Sequence, residues 1–325
     1  MGQHHRHPVG GVDYPRTIME FDRWFATEEA CISYLARVRW PDGFVCPACG
    51  GHKAWPTARG QMRCATCQRQ TSVTAGTMLE GTRKPLRIWF QAMWHVTSQK
   101  YGCNALGLKR IMGFGSYQTA WSWLHKMRRA MVRPGRDRLS GRVEVDEIYV
   151  GGREEGASGR YTEKKSIVVV AAEILEPKGL GRVRFRRVPD VTASSLMSAI
   201  QETVESGSVV LTDGWQGYAR LTEYGYTHEV TVVSDFGDPA HVAMPGVHRV
   251  ASLLKRWLLG TLQGAISNEH LDYYLDEFAF RFNRRKSRAR GLLFYRLVQQ
   301  AVQTSPMPYH QLVGGASHTG DGEEG

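Results

Sequence analysis

Long uncharged apolar runs are missing from this chain of 325 residues. No stretch approaches the roughly 18 residues that a membrane-spanning helix needs, so no membrane partner is expected. The start, Met1-Gly2-Gln3-His4-His5-Arg6-His7, is not followed by an apolar segment, so a secretory leader is not expected and a cytoplasmic location is. Arg6 stands where a myristoylation signal wants Ser or Thr. Cysteine is scarce at six residues, and disulfides need an oxidising compartment that nothing here points to. Acids are the minority charge: 31 against 42 Lys and Arg, a net charge of +11 and a pI near 9.5. Such a surface concentrates polyanions, of which nucleic acid is the usual one; a solvated basic protein is the bland alternative. With 42% hydrophobic residues and nine Trp the composition is globular, and the length suits two or three units.

Four of the six cysteines form two pairs, Cys46-Pro47-Ala48-Cys49-Gly50 and Cys64-Ala65-Thr66-Cys67. A two-residue gap lets both sulfurs of one turn face a common centre, and the intervening segment is a hairpin that returns the second pair. Four thiolates complete the closed shell of a structural Zn²⁺, leaving no position for chemistry. Two disulfides, or unrelated thiols, are the competing reading. Gly50 suits a positive φ at the knuckle. Phe44, Val45, Met62 and Thr71 to Val73 are candidate strand residues, Trp55 is expected to cover the small core, and Cys31 is expected to be packing only. Upstream, Ile18 to Leu35 has helical spacing. Downstream, Leu86 to Trp94 after Pro85, Asn104 to Met112 and Tyr117 to Met131 predict three helices, with Gly113-Phe114-Gly115-Ser116 between the last two. Short helices, a glycine turn and a basic third helix make a helix-turn-helix-like pattern, shared with many helical bundles.

After Pro134-Gly135-Arg136 the period changes from 3.6 to 2. Arg142–Val150, Ser166–Ile174 and Arg182–Val188 read as strands, Ser194–Val204 as a helix, Ser208–Asp213 as a strand, Gly214–Tyr224 as a helix, His228–Val233 as a strand and Val247–Leu259 as a helix. This is the element order of the ribonuclease-H-like fold, in which a carboxylate on the first strand meets one just after the fourth. Asp146 and Asp213 hold those places. Singly, Asp213 could be a helix N-cap, and Glu144, Asp146 and Glu147 an exposed strand face. A carboxylate among apolar strand residues is costly unless paired or metal-bound, and together the two favour a site. The expected fold class is α+β multidomain: a disordered start (1–15), an N-terminal helix and zinc ribbon (16–75), a helix-turn-helix-like DNA-binding region (85–133), a ribonuclease-H-like α/β catalytic domain with a mixed five-stranded sheet (140–300) and a disordered tail (309–325).

Val145-Asp146-Glu147 with Gly151-Gly152, Thr212-Asp213-Gly214-Trp215 with Gly217-Tyr218, Leu253 to Thr261 and Glu277 to Arg285 together resemble bacterial insertion-sequence transposases of the zinc-ribbon DDE type. The resemblance spans roughly residues 20–300. It implies a homo-oligomeric enzyme acting on double-stranded DNA, at the terminal inverted repeats of its own element and at target DNA, in the nucleoid. It also implies two Mg²⁺ or Mn²⁺ ions on the carboxylates, one activating water or a 3′-OH and the other stabilising the leaving oxygen, without a covalent enzyme intermediate. The third position departs from the pattern: 35 residues after Asp213 stands His248, where such enzymes usually carry Glu and some relatives carry Asn or His. Glu277 is the rival third ligand, Asp235 a further acid, and an ordinary helix residue the plain reading of His248. Lys255, two turns beyond His248, takes the place of a phosphate-binding base, and Arg256, Arg281, Arg284 and Arg285 extend a basic run expected to meet DNA. A regulator that has lost catalysis, and a nuclease without strand transfer, are the competing functions.

Overall fold

Thr17 and Thr27, each in extended conformation, accept backbone N–H groups and so start two helices, α1 (Ile18–Trp24) and α2 (Glu28–Arg39), where one helical stretch was expected. The computed structural model describes residues 7–57, 60–133, 135–151, 165–177, 179–231, 244–263 and 266–314. A three-stranded antiparallel sheet follows: β1 (Ala54–Pro56), β2 (Met62–Cys64) and β3 (Gln70–Thr71). Then come α3 (Leu86–Ser98), α4 (Ala105–Met112) and α5 (Tyr117–Arg129). Pro85 has no side-chain acceptor for the α3 N-terminus. Glu28 supplies one from α2, accepting the N–H of Leu86 at 2.6 Å and of Arg87 at 3.0 Å. Asn104 caps α4, and Gly113, with φ of 64°, closes it.

The second sheet has the order β6-β5-β4-β7-β8. Strands β4 (Arg142–Val150), β5 (Ser166–Ile174) and β6 (Leu180–Val188) are antiparallel neighbours. After α6 (Ala193–Thr203), β7 (Val209–Thr212) returns parallel to β4, and β8 (Thr227–Val230) lies parallel to β7. This is the mixed five-stranded sheet expected. Two short 3₁₀ turns, Gln216–Tyr218 and Leu221–Tyr224, occupy 214–224 where a helix was expected; Gly214 and Gly225 at either end have left-handed backbone. Helices α7 (Pro245–Leu262) and α8 (Leu271–Asn283) complete this part.

Both faces of the sheet are covered, which is why β5 is a continuous apolar run rather than an alternating one. Ile148, Val168, Val170 and Phe185 face α7 and α8, against Val247, Leu254 and Phe278. Val143, Val145, Val169 and Ala171 face α6 and the 3₁₀ turns, against Leu196, Ile200 and Tyr218. The period of 2 along β4 therefore sends even-numbered side chains toward α7 and odd-numbered ones toward α6.

The last helices, α9 (Arg290–Ala301) and α10 (Tyr309–Val313), group with the N-terminal part. The chain divides into one unit of residues 1–133 with 286–314 and another of 134–285, so the segment after 285 leaves the catalytic region that the sequence reading carried to 300. Phe294 of α9 explains the division. Its ring packs against Phe21, Phe25, Phe90 and Trp94 at 5.5–5.7 Å, in the aromatic core of the first unit. A Cβ at Gly291 would lie 1.7 Å from the Pro15 carbonyl oxygen, so only glycine permits this approach. Tyr14 is buried, so residues 7–15 are ordered against expectation, while 1–6 and 315–325 lie outside the described residues. Among the described residues no helix is long and apolar enough to cross a membrane.

Candidate active site and metal centre

The ribbon is built on two matching knuckles. Gly50 donates its N–H to the Cys46 carbonyl and Cys46 its own to Gly51; Gln68 donates to Cys64 and Cys64 to Arg69. The residue after each second cysteine has positive φ, 70° at Gly50 as expected and 60° at Gln68, which no residue preference announces. All four Sγ atoms lie within 4.8 Å of one another, with Cys46–Cys67 and Cys49–Cys64 at 3.6 Å. A disulfide needs about 2.05 Å. Thiolates about 2.3 Å from one zinc ion form a tetrahedron with edges of about 3.8 Å, so the sulfurs fit structural zinc. N–H groups of Cys67 and Thr66 point at the Cys64 sulfur and bring its thiol down to about 6, toward the thiolate that a metal binds. The core beneath is Phe44, Cys46 and Cys64 with Trp40 and Met62 at its margin. Trp55 does not cover it: it is 45% exposed on β1.

In the second unit, Glu144 pairs with Leu211 across parallel β4 and β7; Asp146 lies two residues further along β4, on the side that α7 covers, and Asp213 follows directly on the end of β7. Asp213 sits just beyond β7, and its Oδ1 accepts the N–H of Trp215 at 3.0 Å, the Asx turn that replaces the expected helix start. Gly214, with φ of 81°, is forced there, because a Cβ would come within 2.8 Å of Val230. His248, on the first turn of α7, brings Nδ1 to 3.9 Å from Asp146 Oδ2. Two hard carboxylates and one imidazole are a donor set that fits a divalent cation. Among the described residues only the ribbon thiols bring three or more ligand atoms within 4.8 Å of one another.

The flanking acids, for which an exposed strand face was the alternative, are buried and employed. Glu144 is 5% exposed and accepts the N–H of Val247 at 2.7 Å. Burial pushes its carboxyl up, against the pull of the Val247 and Gly246 N–H groups. Glu147, on the opposite face, accepts the Tyr218 hydroxyl at 2.9 Å. Burial, then the charges of Glu147, Asp146 and Asp213, push the Tyr218 phenol far above its usual range. Strand alternation was the available signal: Glu144 shares a face with Asp146, and Glu147 does not.

The rival ligand is placed elsewhere. Glu277 is on α8, which packs on β6, two strands from β4. It is fully buried and holds Arg281 at 2.6 Å. Asp235 lies outside the described residues. Arg281, expected on a DNA face, is turned inward by this pair with only 11% of its side chain exposed. Arg284 stacks on Phe280, its guanidinium carbon 4.0 Å from the ring centre. Arg285 stacks on Phe282 at 3.9 Å and donates to the carbonyls of Leu180 and Gly181, tying α8 to β6. Lys255 and Arg256 are exposed on α7, Lys255 on the helix face of His248.

Two family models match the chain: a transposase zinc-ribbon domain over residues 26–70 and an ISXO2-like transposase domain over 138–283. The second match ends two residues before the boundary between the units. A protein in transposable element ISH50 of Halobacterium salinarum is 29% identical over 280 residues, covering 79% of this chain and 91% of the relative. The chain thus carries, in this order, a region matching the transposase zinc-ribbon domain and a region matching the ISXO2-like transposase domain, and it is similar to a protein carried by a mobile element.

Proposed function

We propose that this chain is a transposase that binds the terminal inverted repeats of its element and, as a homo-oligomer on DNA, performs metal-dependent end cleavage and strand transfer at Asp146, Asp213 and His248. The observation that carries the reading is the meeting of His248 with Asp146 at 3.9 Å, on a strand whose parallel neighbour leads into Asp213. Asp146 and Asp213 hold divalent cations by hard oxygens, and His248 completes the set with a neutral nitrogen. Bound there, two such ions supply activation of water or a 3′-OH and charge neutralisation on the leaving oxygen. Lys255 and Arg256 lie along the same helix to receive phosphates, in a sequence-independent and salt-sensitive way. Repeat recognition belongs to α4 and α5, whose glycine turn leaves Tyr117 and Gln118 exposed at the start of α5, where a recognition helix reads bases. The ribbon zinc is structural.

The test is a labelled repeat end and a plasmid target, with full-length protein and Mg²⁺ or Mn²⁺. Asp146→Asn and Asp213→Asn should each lower cleavage by orders of magnitude while end binding survives. Normal cleavage by both variants would refute the assignment. End binding without cleavage by the native protein, under both metals, would favour a regulator, and cleavage without joining a nuclease.

A further inference from the structure

The first acid of the Glu144-Val145-Asp146-Glu147 run has no part in the proposed chemistry, yet it is costly where it stands. Its side chain leaves β4 on the α7 side and ends at the helix start, where Pro245, Gly246 and Val247 form the first turn. Free N–H groups gather there, and a carboxylate at that end satisfies them and meets the positive pole of the helix. Glu144 does so at 2.7 Å from the Val247 nitrogen, with Gly246 contributing a second N–H. Met244 offers no side-chain cap, so this contact from a distant strand takes the place of a local one.

Gly246 shows how closely the two elements are fitted. A Cβ there would lie 2.8 Å from Glu144 Oε2 and 2.6 Å from Ile174 Cδ1, and its backbone is ordinary helix, so the glycine serves approach rather than a left-handed turn. The next residue after the clamped Val247 is His248. On β4, the residue two places beyond Glu144 is Asp146, which faces it. One strand therefore carries both the clamp on α7 and the partner of the imidazole that α7 delivers.

We infer that Glu144 is a positioning residue for the metal site: by holding the α7 N-terminus on β4 it sets the distance from His248 to Asp146. This rests on the proposed function, and the two can fail separately. Partners that orient metal ligands in this way cost about 10–100-fold in affinity or activity when removed. Glu144→Gln keeps one acceptor oxygen and the side-chain length, Glu144→Ala removes the clamp, and Gly246→Ala pushes the helix off with the carboxylate intact.

In full-length protein, Mn²⁺ binding is measured by calorimetry, and the Mn²⁺ concentration for half-maximal cleavage and KM for the DNA end are measured alongside. All are taken at a temperature where each variant is folded by circular dichroism. Glu144→Ala and Gly246→Ala should weaken Mn²⁺ binding and raise the half-maximal concentration by about tenfold or more, with Glu144→Gln between them and the native protein. KM for DNA should stay within about twofold, and the Val247 amide should exchange faster in Glu144→Ala. Should Glu144→Ala not fold, Glu144→Gln and Gly246→Ala carry the test alone. Native Mn²⁺ affinity in the folded variants, with Asp146→Asn inactive, would overturn the positioning role and leave the transposase reading standing. Native activity in Asp146→Asn would overturn both.

Discussion

Replacing Glu277 with Gln separates a structural acid from a catalytic one. The Glu277 carboxylate is fully buried and pairs with Arg281 at 2.6 Å through Nη2 and 2.9 Å through Nε. Glutamine keeps the shape but leaves a buried guanidinium without its counter-charge. Breaking a buried pair from one side costs about 3–5 kcal/mol, because the remaining charge has lost its water and its partner. In a domain of this size each kcal/mol moves Tm by about 2–4 °C, so a fall of about 6–20 °C is expected. The assay is calorimetric unfolding of full-length Glu277→Gln, with cleavage measured well below the lowered transition.

Three outcomes discriminate. A structural Glu277 gives a large Tm loss, near-native cleavage by the folded protein, and recovery of stability when Glu277 and Arg281 are both replaced by Leu, since a packed apolar pair substitutes for a buried ionic one. An unchanged Tm with abolished cleavage would make Glu277 the third ligand and remove His248 from the site. An unchanged Tm with native cleavage would refute the energetic argument itself.

Four further expectations follow from named contacts. Cys64→Ser should lose the zinc measured by elemental analysis, whereas Cys31→Ser and Cys103→Ser should keep one equivalent; a full equivalent in Cys64→Ser would sink the assignment. His248→Ala should lower cleavage strongly, and His248→Glu should keep or raise Mg²⁺-supported cleavage relative to Mn²⁺, because a hard oxygen replaces nitrogen; an unchanged metal preference would count against His248 as a ligand. Burial pushes the Asp276 carboxyl up to about 7 beside Arg136 and Asp272, so its contribution to stability is fully present below the unfolded value near 4 and is lost as pH rises through 7. Asp276→Asn should therefore gain stability over the native protein at pH 8 relative to pH 5, read as the difference in Tm; a difference independent of pH would show that Asp276 does not titrate in this window. Tyr218→Phe should destabilise the protein by leaving buried Glu147 short of a donor, and a Tm equal to the native one would contradict that contact's weight.

What could be read from the residues alone depended on whether the determining interactions were local. The cysteine spacing, the alternation of β4, the apolar run of β5 and the glycine after α4 are local signals, and each delivered its element within a residue or two. The parallel return of β7 beside β4 follows from the element order, and with it the strands that carry Asp146 and lead into Asp213 are neighbours. The helix expected over 214–224 failed for a local reason that propensity does not weigh: Asp213 binds the Trp215 N–H and Gly214 takes a positive φ, so the chain turns before a helix starts. The surroundings of the basic run are set at a distance. Tertiary packing gives Arg281 a buried carboxylate partner in Glu277, and Arg284 and Arg285 the rings of Phe280 and Phe282 and a carbonyl of β6, none of which the charges alone announce. Glu144 is the same lesson with the opposite sign. On the sequence it is one acid among several on a strand, and its meaning comes only from a helix that begins 101 residues later, at Pro245. A carboxylate's role is thus set less by its neighbours in sequence than by which unsatisfied N–H groups or cations the fold brings to it.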